Sequence, residues 1–446
     1  LHLPESVFVS CVRPDYSTDI ADIAVENDKI AAVGNIPESF VADHIIEGKD
    51  HFAVPGLVNA HTHASMTLLR SYADDMELMD WLNNKIWPLE AKMKEQDIRI
   101  GAQLALVEMI RTGTTAFADM YGPWMEIVAD ETIGAGIRGI LSRGAIGFMP
   151  GAMKTLEENV ELFRNYHGSG DGRISVLLGV HAPYTCPPDF CQAAAKASVE
   201  NGINVHIHMS ETQAEIKEIQ EKYGKRPFKY IEDTGLFQRP SIAAHCVWLD
   251  DEDLAIMKEH QITPVHNPGS NMKLASGVAP VPWLLAHGVQ VALGTDGASS
   301  NNNLDMLEEV RLAAMLHKVK ELDPLAVDAA QALRMGTEYG AKALWLDNVG
   351  KIEVGAKADI VLYDMRRPEW CPRHNLVSLL VYSANSSSAD TMLCNGRIIM
   401  EKGELKTMDE EKILFEANKC ALDLVNRYPA ATLRTMTSRG TMRTAL

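Results

Sequence analysis

Short apolar runs alternate with helical patterns through the middle of the chain. The helical stretches space apolar residues three or four positions apart, as in Ile216, Ile219 and Tyr223. Strand-like runs occupy eight places, at residues 57–63, 114–120, 138–143, 174–181, 204–208, 241–247, 263–267 and 290–296. Strands that alternate with helices predict a parallel sheet, and eight such units predict an α/β fold of the (β/α)8 TIM-barrel type.

The two ends of the chain have the pattern of β strands instead. Turn signals, Glu26-Asn27-Asp28 and Asn395-Gly396, stand between short runs, which is typical of hairpins. The strand-like runs are 21–25, 29–33, 357–363, 391–393 and 397–400. Each group is too small to be stable alone, so we expect the two ends to pair into one small β-sandwich.

These patterns predict three parts of the chain. Residues 55–350 form the barrel, and residues 1–54 and 351–417 together form the composite β-sandwich. Residues 418–446 are locally basic and rich in Thr, and we expect a capping or tail segment there.

Composition excludes several classes of protein. The 446 residues are 46% apolar and 23% charged, an ordinary globular composition, and the net charge of −18 without a basic cluster argues against a nucleic-acid partner. The seven cysteines are scattered and form no CxxC pair, which fits a reducing compartment. The longest apolar runs fall far short of the ~18 residues of a membrane span. We therefore expect a cytoplasmic protein that contacts no membrane.

Polar side chains stand at or just beyond the ends of the predicted strands. All strand C-termini of a barrel meet at one face, which carries the active site, so we expect these side chains to converge. They are His61, His63, Arg143, His181, His208, Glu211, His245, His266 and Asp296.

Four of these residues have the chemistry of a metal site. His61 and His63 are two apart on a strand, so their side chains point to the same side. A lone HxH pattern also occurs as two surface histidines. With His208 and Asp296, however, the set offers three nitrogens and a carboxylate, which suits a divalent transition ion that keeps a position open for water. His206 has the same spacing from His208, and we choose His208 because it is closer to the strand's C-terminal end.

The fourth predicted strand bears on the number of ions. Binuclear barrels of this kind need a bridging ligand, commonly a lysine on that strand, and residues 174–181 contain none. We therefore predict one divalent ion and assign His245 to orienting and deprotonating its water. The structural alternative for His245 is a core histidine.

Glu211 follows His208 by three residues, on the loop over the predicted ion. A carboxylic acid there can donate a proton to a ring nitrogen while hydroxide attacks the adjacent carbon. The structural alternative is a helix start, because Ser210 followed by Gln213 has the pattern of a capping box. The two roles are compatible.

Taken together, the motifs resemble the amidohydrolase superfamily over almost the whole chain. Within it the chain is most similar to the 5′-methylthioadenosine/S-adenosylhomocysteine deaminases, with triazine hydrolases as near relatives. The resemblance rests on Gly56-Leu57-Val58-Asn59-Ala60-His61-Thr62-His63, Trp87-Pro88-Leu89-Glu90, His208-Met209-Ser210-Glu211-Thr212, Ala244-His245-Cys246, His266-Asn267-Pro268 with Ser270-Asn271, and Leu293-Gly294-Thr295-Asp296-Gly297.

The resemblance implies a role for each site residue. The implied ligands of Zn²⁺, or alternatively Fe²⁺, are His61, His63, His208 and Asp296. The implied proton carriers at the purine ring are Glu211 and Asp296, and the implied contacts of the nucleoside and its 5′ substituent are Glu90, His181 and Arg143. Glu90 could accept hydrogen bonds from both ribose hydroxyls, and Arg143 could form a fork with a carboxylate. The structural alternative for Glu90 is a solvated helix acid, and the alternative for Arg143 is a salt bridge at the barrel mouth.

The expected function is metal-dependent hydrolytic deamination of an adenosine-type nucleoside to an inosine-type product and ammonia. Relatives often carry a second arginine before the Leu-Glu-Glu-Asn run, where this chain has Lys154-Thr155, which favours methylthioadenosine or adenosine over S-adenosylhomocysteine. The alternatives are an aminohydrolase of triazines, guanine or oxopurines on the same barrel and, more remotely, a non-catalytic scaffold. The expected partner is a small molecule, and a homo-oligomer is left open.

Overall fold

The computed structural model describes residues 6–12 and 20–428. Its strands are β1 (Ser6–Val12), β2 (Ile20–Glu26), β3 (Lys29–Gly34), β4 (His44–Pro55), β5 (Leu57–Thr62), β6 (Thr114–Tyr121), β7 (Arg138–Arg143), β8 (Ile174–Val176), β9 (Leu178–Val180), β10 (Val205–Met209), β11 (Ser241–His245), β12 (Ile262–His266), β13 (Ala292–Leu293), β14 (Ile360–Asp364), β15 (Ala389–Cys394), β16 (Arg397–Glu401) and β17 (Glu404–Leu405).

Helices follow most of the central strands. They are α1 (Leu78–Trp81), α2 (Trp87–Glu90), α3 (Glu95–Arg111), α4 (Met125–Ala135), α5 (Ala152–Tyr166), α6 (Ser169–Gly172), α7 (Pro188–Asn201), α8 (Gln213–Tyr223), α9 (Pro227–Asp233), α10 (Asp251–Glu259), α11 (Pro268–Lys273), α12 (Val281–Ala286), α13 (Met306–Glu321), α14 (Ala329–Met335), α15 (Glu338–Ala343), α16 (Leu376–Tyr382) and α17 (Glu410–Asn426). A π-helical segment, Leu82–Ile86, joins α1 to α2. None of the helices in the described ranges has both the length and the apolar character to cross a bilayer.

The central strands form two parallel sheets, in the orders β5-β6-β7-β8 and β13-β12-β11-β10-β9. Each predicted central run contains one of these strands, but the fourth run is divided. The division lies at Leu177, whose N–H donates to Leu141 O at 2.9 Å, whereas the next residue, Leu178, donates to Asn204 O at 2.8 Å. The chain therefore changes its pairing partner from β7 to β10 within this run. The result is a mixed α/β fold with parallel sheets.

Backbone hydrogen bonds also join the edges of the two sheets. The N–H of Ala145, just after β7, donates to Gly179 O in β9 at 3.1 Å, and the N–H of Asp296, just after β13, donates to His61 O in β5 at 3.0 Å. Every residue of β5, β6, β10 and β11 is buried, as expected of parallel strands that are covered on both faces.

The two ends of the chain meet in one eight-stranded sheet, in the order β17-β16-β15-β14-β4-β1-β2-β3. Its N- and C-terminal strands pair where β4 runs antiparallel to β14. Both hairpin turns that the sequence indicates are present, and they touch each other. A Cβ atom on Gly396 would lie 1.8 Å from Asn27 O, so this turn requires glycine.

A buried ion pair connects the chain-end sheet to the central strands. Arg138, the first residue of β7, donates from Nε to Asp359 Oδ2 at 2.6 Å and from Nη2 to Asp359 Oδ1 at 2.9 Å. The same guanidinium donates to Asn395 Oδ1 at 2.8 Å, and Asn395 N–H donates to Asp359 Oδ1 at 2.8 Å. Both charged side chains are almost fully buried, so each depends on the other for its hydrogen bonds.

Replacing Asp359 with Ala is expected to lower the free energy of unfolding by about 3–5 kcal/mol, because it leaves a buried guanidinium without its counter-charge. Urea denaturation followed by circular dichroism measures the change. The control is Glu200→Ala, which removes an exposed partner of Lys196 at 3.8 Å and is expected to cost at most about 1 kcal/mol. Equal costs for the two variants would contradict the assigned role of the buried pair.

The C-terminal boundary that we predicted from composition, between residues 417 and 418, falls inside α17. Ala417 and Leu424 are both buried, so the apolar face of the helix continues across the proposed boundary. Just beyond the helix, Arg427 pairs with the buried carboxylate of Asp97 on α3 at 2.6 Å. A change to basic composition therefore does not mark the end of this element, and residues 429–446 lie outside the described residues.

Candidate metal and substrate site

Imidazole and carboxylate groups converge beyond the carboxyl ends of the central strands. His63 Nε2 lies 3.1 Å from Asp296 Oδ1 and 3.4 Å from His208 Nε2, and His61 Nε2 lies 3.4 Å from Asp296 Oδ1. Donor atoms of His61, His63 and Asp296 lie within 4.8 Å of one another, as do those of His61, His208 and His245. The structure thus brings together all four ligands named from the sequence and places His245 beside them.

Backbone carbonyls orient two of the imidazoles. His63 Nδ1 donates to Met120 O, and His208 Nδ1 donates to His181 O at 2.7 Å. Because a carbonyl oxygen only accepts, each Nδ1 carries a proton and each Nε2 faces the centre of the site, as a metal ligand requires. Burial opposes the charged form of His63, but its contacts with Asp296 outweigh burial and raise its pKa to about 9, so His63 binds a metal by giving up its Nε2 proton.

His206 lies behind the site and not in it. Its Nε2 is 2.8 Å from His61 Nδ1, and its Nδ1 is 3.3 Å from Ser142 Oγ. His206 therefore supports the ring of His61, while His208 faces the other donors. This arrangement agrees with our choice of His208 over His206 as the candidate ligand.

The donor set fits a divalent cation. Burial lowers the pKa of His61 to about 4 and the pKa of His208 well below 6.5, so both rings are neutral. His61 Nε2 is buried and has no hydrogen-bond partner among the described residues. Burial opposes the ionisation of Asp296, but its contacts with His61 and His63 outweigh burial and hold its pKa well below 3.8. Imidazole nitrogens around a carboxylate form a site that Zn²⁺ or Fe²⁺ can occupy.

Asp296 is itself held in place by two hydroxyls. Its Oδ2 accepts hydrogen bonds from Ser270 Oγ at 2.7 Å and Ser300 Oγ at 2.9 Å, and its Oδ1 accepts from Gly297 N–H at 2.8 Å. Sequence reasoning assigned no role to either serine, although Ser270 belongs to one of the motifs that carry the family resemblance.

His245 occupies an unusual backbone position. Its φ of 74° is left-handed, a conformation that non-glycine residues adopt mainly where the surrounding structure holds them. Its Nδ1 is 2.9 Å from Asn271 Oδ1, and its Nε2 is 3.8 Å from Glu211 Oε2. The ring thus points toward both the donor cluster and Glu211, so this geometry is compatible with a proton-transfer role and with a place among the ligands.

Glu211 is buried beside His245. Burial raises the pKa of this carboxyl above 4.5, which favours the protonated acid, and its Oε1 accepts a hydrogen bond from Ser276 Oγ at 3.3 Å. The capping box suggested for Ser210 and Gln213 is wrong. The helix begins at Gln213, and Thr212 is its N-cap, with Oγ1 accepting from Glu215 N–H at 3.1 Å.

A cavity of about 390 Å³ opens over these groups, and Glu90 and His181 line it together with Glu211. Glu90 Oε1 accepts a hydrogen bond from Tyr121 OH at 2.7 Å, and burial raises the pKa of Glu90. His181 Nδ1 is 2.9 Å from Thr185 Oγ1, and burial lowers the pKa of His181 to about 3. Tyr121 was missed from the sequence because nothing in its local pattern distinguishes it from a core aromatic residue.

Arg143 does not line this cavity. Its Nε donates to Glu158 Oε2 at 3.1 Å, and Lys154 Nζ lies 3.4 Å from the other oxygen of Glu158. Arg143 lines a neighbouring groove that shares Pro123 and Trp124 with the cavity. The salt bridge that we named as its alternative is therefore present.

Comparison with known proteins bears on the whole chain. The sequence profile of the Amidohydrolase family matches residues 52–399. The chain belongs to the amidohydrolase family. A 5-methylthioadenosine/S-adenosylhomocysteine deaminase from Pelotomaculum thermopropionicum is 49% identical to it over 417 residues, which cover 93% of this chain and 96% of the relative.

Solved structures of amidohydrolases have the same fold. An adenosine deaminase from Xanthomonas campestris with bound zinc matches with a TM-score of 0.88 at 33% identity, covering 94% of this chain and 98% of that chain. An atrazine chlorohydrolase from Arthrobacter aurescens TC1 complexed with zinc matches with a TM-score of 0.85 at 22% identity, covering 93% of this chain and 100% of that chain. The second likeness concerns the fold alone.

Proposed function

We propose that this amidohydrolase deaminates adenosine-type nucleosides, with 5′-methylthioadenosine, S-adenosylhomocysteine and adenosine as candidate substrates. Water replaces the amino group at C6, which gives an inosine-type product and ammonia. The observation that carries the proposal is a buried acid, Glu211, at the edge of a complete three-imidazole and one-carboxylate donor set. The deaminase names of close relatives support the same reaction.

We propose further that the two parallel sheets close into one (β/α)8 barrel. The hydrogen bonds from Ala145 to Gly179 and from Asp296 to His61 support closure at both edges. In this proposal residues 1–54 and 351–417 form the β-sandwich beside the barrel, and the pairing of β4 with β14 supports it.

The proposed cofactor is one divalent ion, Zn²⁺ with Fe²⁺ as the alternative, held by His61, His63, His208 and Asp296. When bound, such an ion supplies Lewis acidity and lowers the pKa of a water molecule toward neutrality. The zinc bound in the adenosine deaminase structure supports this choice of ion.

Three side chains carry the proton transfers in this proposal. His245 Nε2 orients the attacking water and accepts its first proton, while Glu211 gives its own proton to N1 of the purine as the oxygen–C6 bond forms. Asp296 takes the second proton from this oxygen and passes it to the departing amino group, so the C6–N bond breaks, the C6=O bond forms and ammonia leaves. The proton held by His245 then returns Glu211 to its acid form. The raised pKa of Glu211 suits this order of events, because the acid must be protonated when the substrate arrives.

Glu90 recognises the ribose in this proposal. Tyr121 occupies one lone-pair site of Oε1, which fixes the carboxylate and leaves its other sites for the ribose hydroxyls. A bare purine base would leave the remaining acceptor sites of this carboxylate unfilled, which favours nucleosides over bases.

The cavity wall is largely apolar and includes Trp81, Met93 and Met120, so it can accommodate an apolar 5′ substituent. A methylthio group suits such a wall, because sulfur packs favourably against aromatic rings. The carboxylate of S-adenosylhomocysteine would have to compete with Glu158 for Arg143. The arrangement therefore favours methylthioadenosine or adenosine over S-adenosylhomocysteine, and Arg143 keeps a proposed role only for the longer substituent.

Zinc-loaded protein incubated separately with methylthioadenosine, S-adenosylhomocysteine, adenosine, guanine and a chlorotriazine tests the function. Ammonia and chloride release are measured. We expect ammonia from the nucleosides, with the highest kcat/KM for methylthioadenosine or adenosine. We expect no chloride from the chlorotriazine. Turnover of guanine or the triazine without turnover of a nucleoside would replace the proposal with a different aminohydrolase, and no turnover at all would support the scaffold alternative.

A further inference from the structure

A second buried glutamate, Glu215, forms hydrogen bonds with the backbone of the loop that carries Glu211. Glu215 is the third residue of α8 and only 4% exposed. Its Oε1 accepts a hydrogen bond from Ser210 N–H at 2.9 Å, and its Oε2 accepts from Glu211 N–H at 2.7 Å. Both oxygens of this carboxylate are therefore committed to the backbone of the catalytic loop.

This arrangement differs from an ordinary capping box. In a capping box the acid at the third helical position accepts a hydrogen bond from the N–H of the N-cap residue. Here the N-cap is Thr212, and Glu215 reaches past it to the two preceding residues. The carboxylate thus forms hydrogen bonds with the segment between β10 and α8, in addition to the hydrogen bond that caps the helix at Thr212.

The segment that Glu215 holds contains a residue with a strained backbone, Ser210. Ser210 has a left-handed φ of 51°, which a non-glycine residue keeps only where its surroundings hold it. Its N–H is held by Glu215, and its carbonyl accepts from Val247 N–H at 3.1 Å and Trp248 N–H at 3.0 Å. The turn at Ser210 sets the direction in which the next residue, Glu211, leaves the strand and enters the cavity.

A comparable acid elsewhere in the chain holds its own helix end and an arginine, and no loop of the site. Asp253 is the third residue of α10 and fully buried, and its Oδ2 accepts a hydrogen bond from the N–H of the N-cap residue Asp250 at 3.1 Å and forms an ion pair with Arg226 at 2.7 Å. Asp253 does not line the cavity. The two buried acids therefore occupy the same helical position and differ in the backbone that they hold.

We propose that Glu215 is a positioning residue for Glu211. By fixing the N–H groups of Ser210 and Glu211, it places the Glu211 carboxyl within reach of the ring nitrogen that this acid protonates. The inference rests on the proposed function, because it assigns Glu215 an effect only through Glu211.

Replacing Glu215 with Gln tests the proposal. The amide keeps one acceptor oxygen but presents an NH2 group to the second backbone N–H, so one of the two hydrogen bonds is lost. We expect kcat to fall about 10- to 100-fold, as misplaced catalytic groups do. KM should stay within about twofold and bound zinc should be unchanged, because neither the donor set nor the cavity wall is altered.

A double-mutant cycle separates positioning from structural support. If Glu215 acts through Glu211, Glu215→Gln should cost almost nothing further in kcat when Glu211 is already Gln. A general structural role would lower the residual kcat by the same factor in both backgrounds. That equality, or a kcat for the single variant within about twofold of wild type, would overturn the proposal.

Two further proteins complete the design. Asp253→Asn weakens the capping box of α10 and its ion pair with Arg226, and it is expected to lower the unfolding midpoint but leave kcat unchanged. If Glu215→Gln does not fold, Glu215→Asp takes its place, because it keeps the carboxyl group but is one methylene too short to hold both N–H groups. A wild-type protein that deaminates no nucleoside would defeat the proposed function, whereas an active wild type with an equally active Glu215 variant would defeat this inference alone.

Discussion

Replacing Glu211 with Gln is expected to lower kcat for nucleoside deamination by about two or more orders of magnitude and to leave the bound metal in place. The amide has nearly the same shape as the acid but has no acidic proton to give to the purine. Glu211 is not among the residues whose donor atoms cluster for a cation, so the metal content should not change. Ammonia release measures kcat, and elemental analysis measures the metal.

The pH dependence of the wild-type enzyme belongs to the same prediction. Burial raises the pKa of Glu211, and the acid is active when protonated, so activity is retained below that pKa and lost as the pH rises through it.

The matched control for Glu211→Gln is Glu218→Gln, on the exposed side of helix α8, which should keep wild-type kcat. Near-normal turnover by the Glu211 variant would remove the residue from the mechanism.

Replacing Asp296 with Asn is expected to abolish both metal binding and activity. The carboxylate accepts hydrogen bonds on both oxygens, from two serine hydroxyls and from Gly297 N–H, and an amide would turn its NH2 group toward one set of these donors. It would also remove the only anionic group from the proposed ligand set. We expect less than about one tenth of the wild-type zinc occupancy and no measurable ammonia release.

Thermal unfolding supplies a second measure of the same change. Zinc that binds only the folded state raises its stability by about 4 kcal/mol at a thousandfold excess over Kd, so a chelator should lower the wild-type midpoint and added zinc should restore it. The Asp296 variant should respond to neither. Asp328→Asn, which replaces an exposed helix N-cap by an equally good one, serves as the control and should behave as wild type. Full zinc occupancy in the Asp296 variant would place the ion elsewhere.

The strand positions were predictable because parallel strands buried on both faces are short and almost wholly apolar, so polar residues at their ends stand out. This is how His208, His245 and Asp296 could be found without a structure. The division of the fourth run could not be predicted, since it depends on a change of hydrogen-bonding partner at Leu177 and not on the residues themselves.

The partners of the site residues were harder to predict. Arg143 could not be assigned to a salt bridge rather than to substrate, because its distance from Glu158 depends on how α5 packs against β7. Tyr121 and Ser300 hold Glu90 and Asp296, but hydroxyl groups occur throughout the chain and carry no pattern of their own. Glu215 escaped notice because the capping-box pattern made Ser210 the N-cap, which placed Glu211 in the first turn of the helix and left no loop for Glu215 to hold.

Strand β7 has consequences for engineering. Arg138, at its start, anchors the chain-end sheet, whereas Arg143, at its end, lies five residues on beside the groove next to the substrate cavity. In barrels such as the one proposed, the amino ends of strands serve stability and the carboxyl ends serve chemistry. Libraries that diversify Arg143, Glu158 and the loop between them would therefore test the proposed role of Arg143 in the choice of 5′ substituent at little cost in stability. In libraries that also vary Arg138, many variants would fail to fold, because the buried ion pair with Asp359 would be broken.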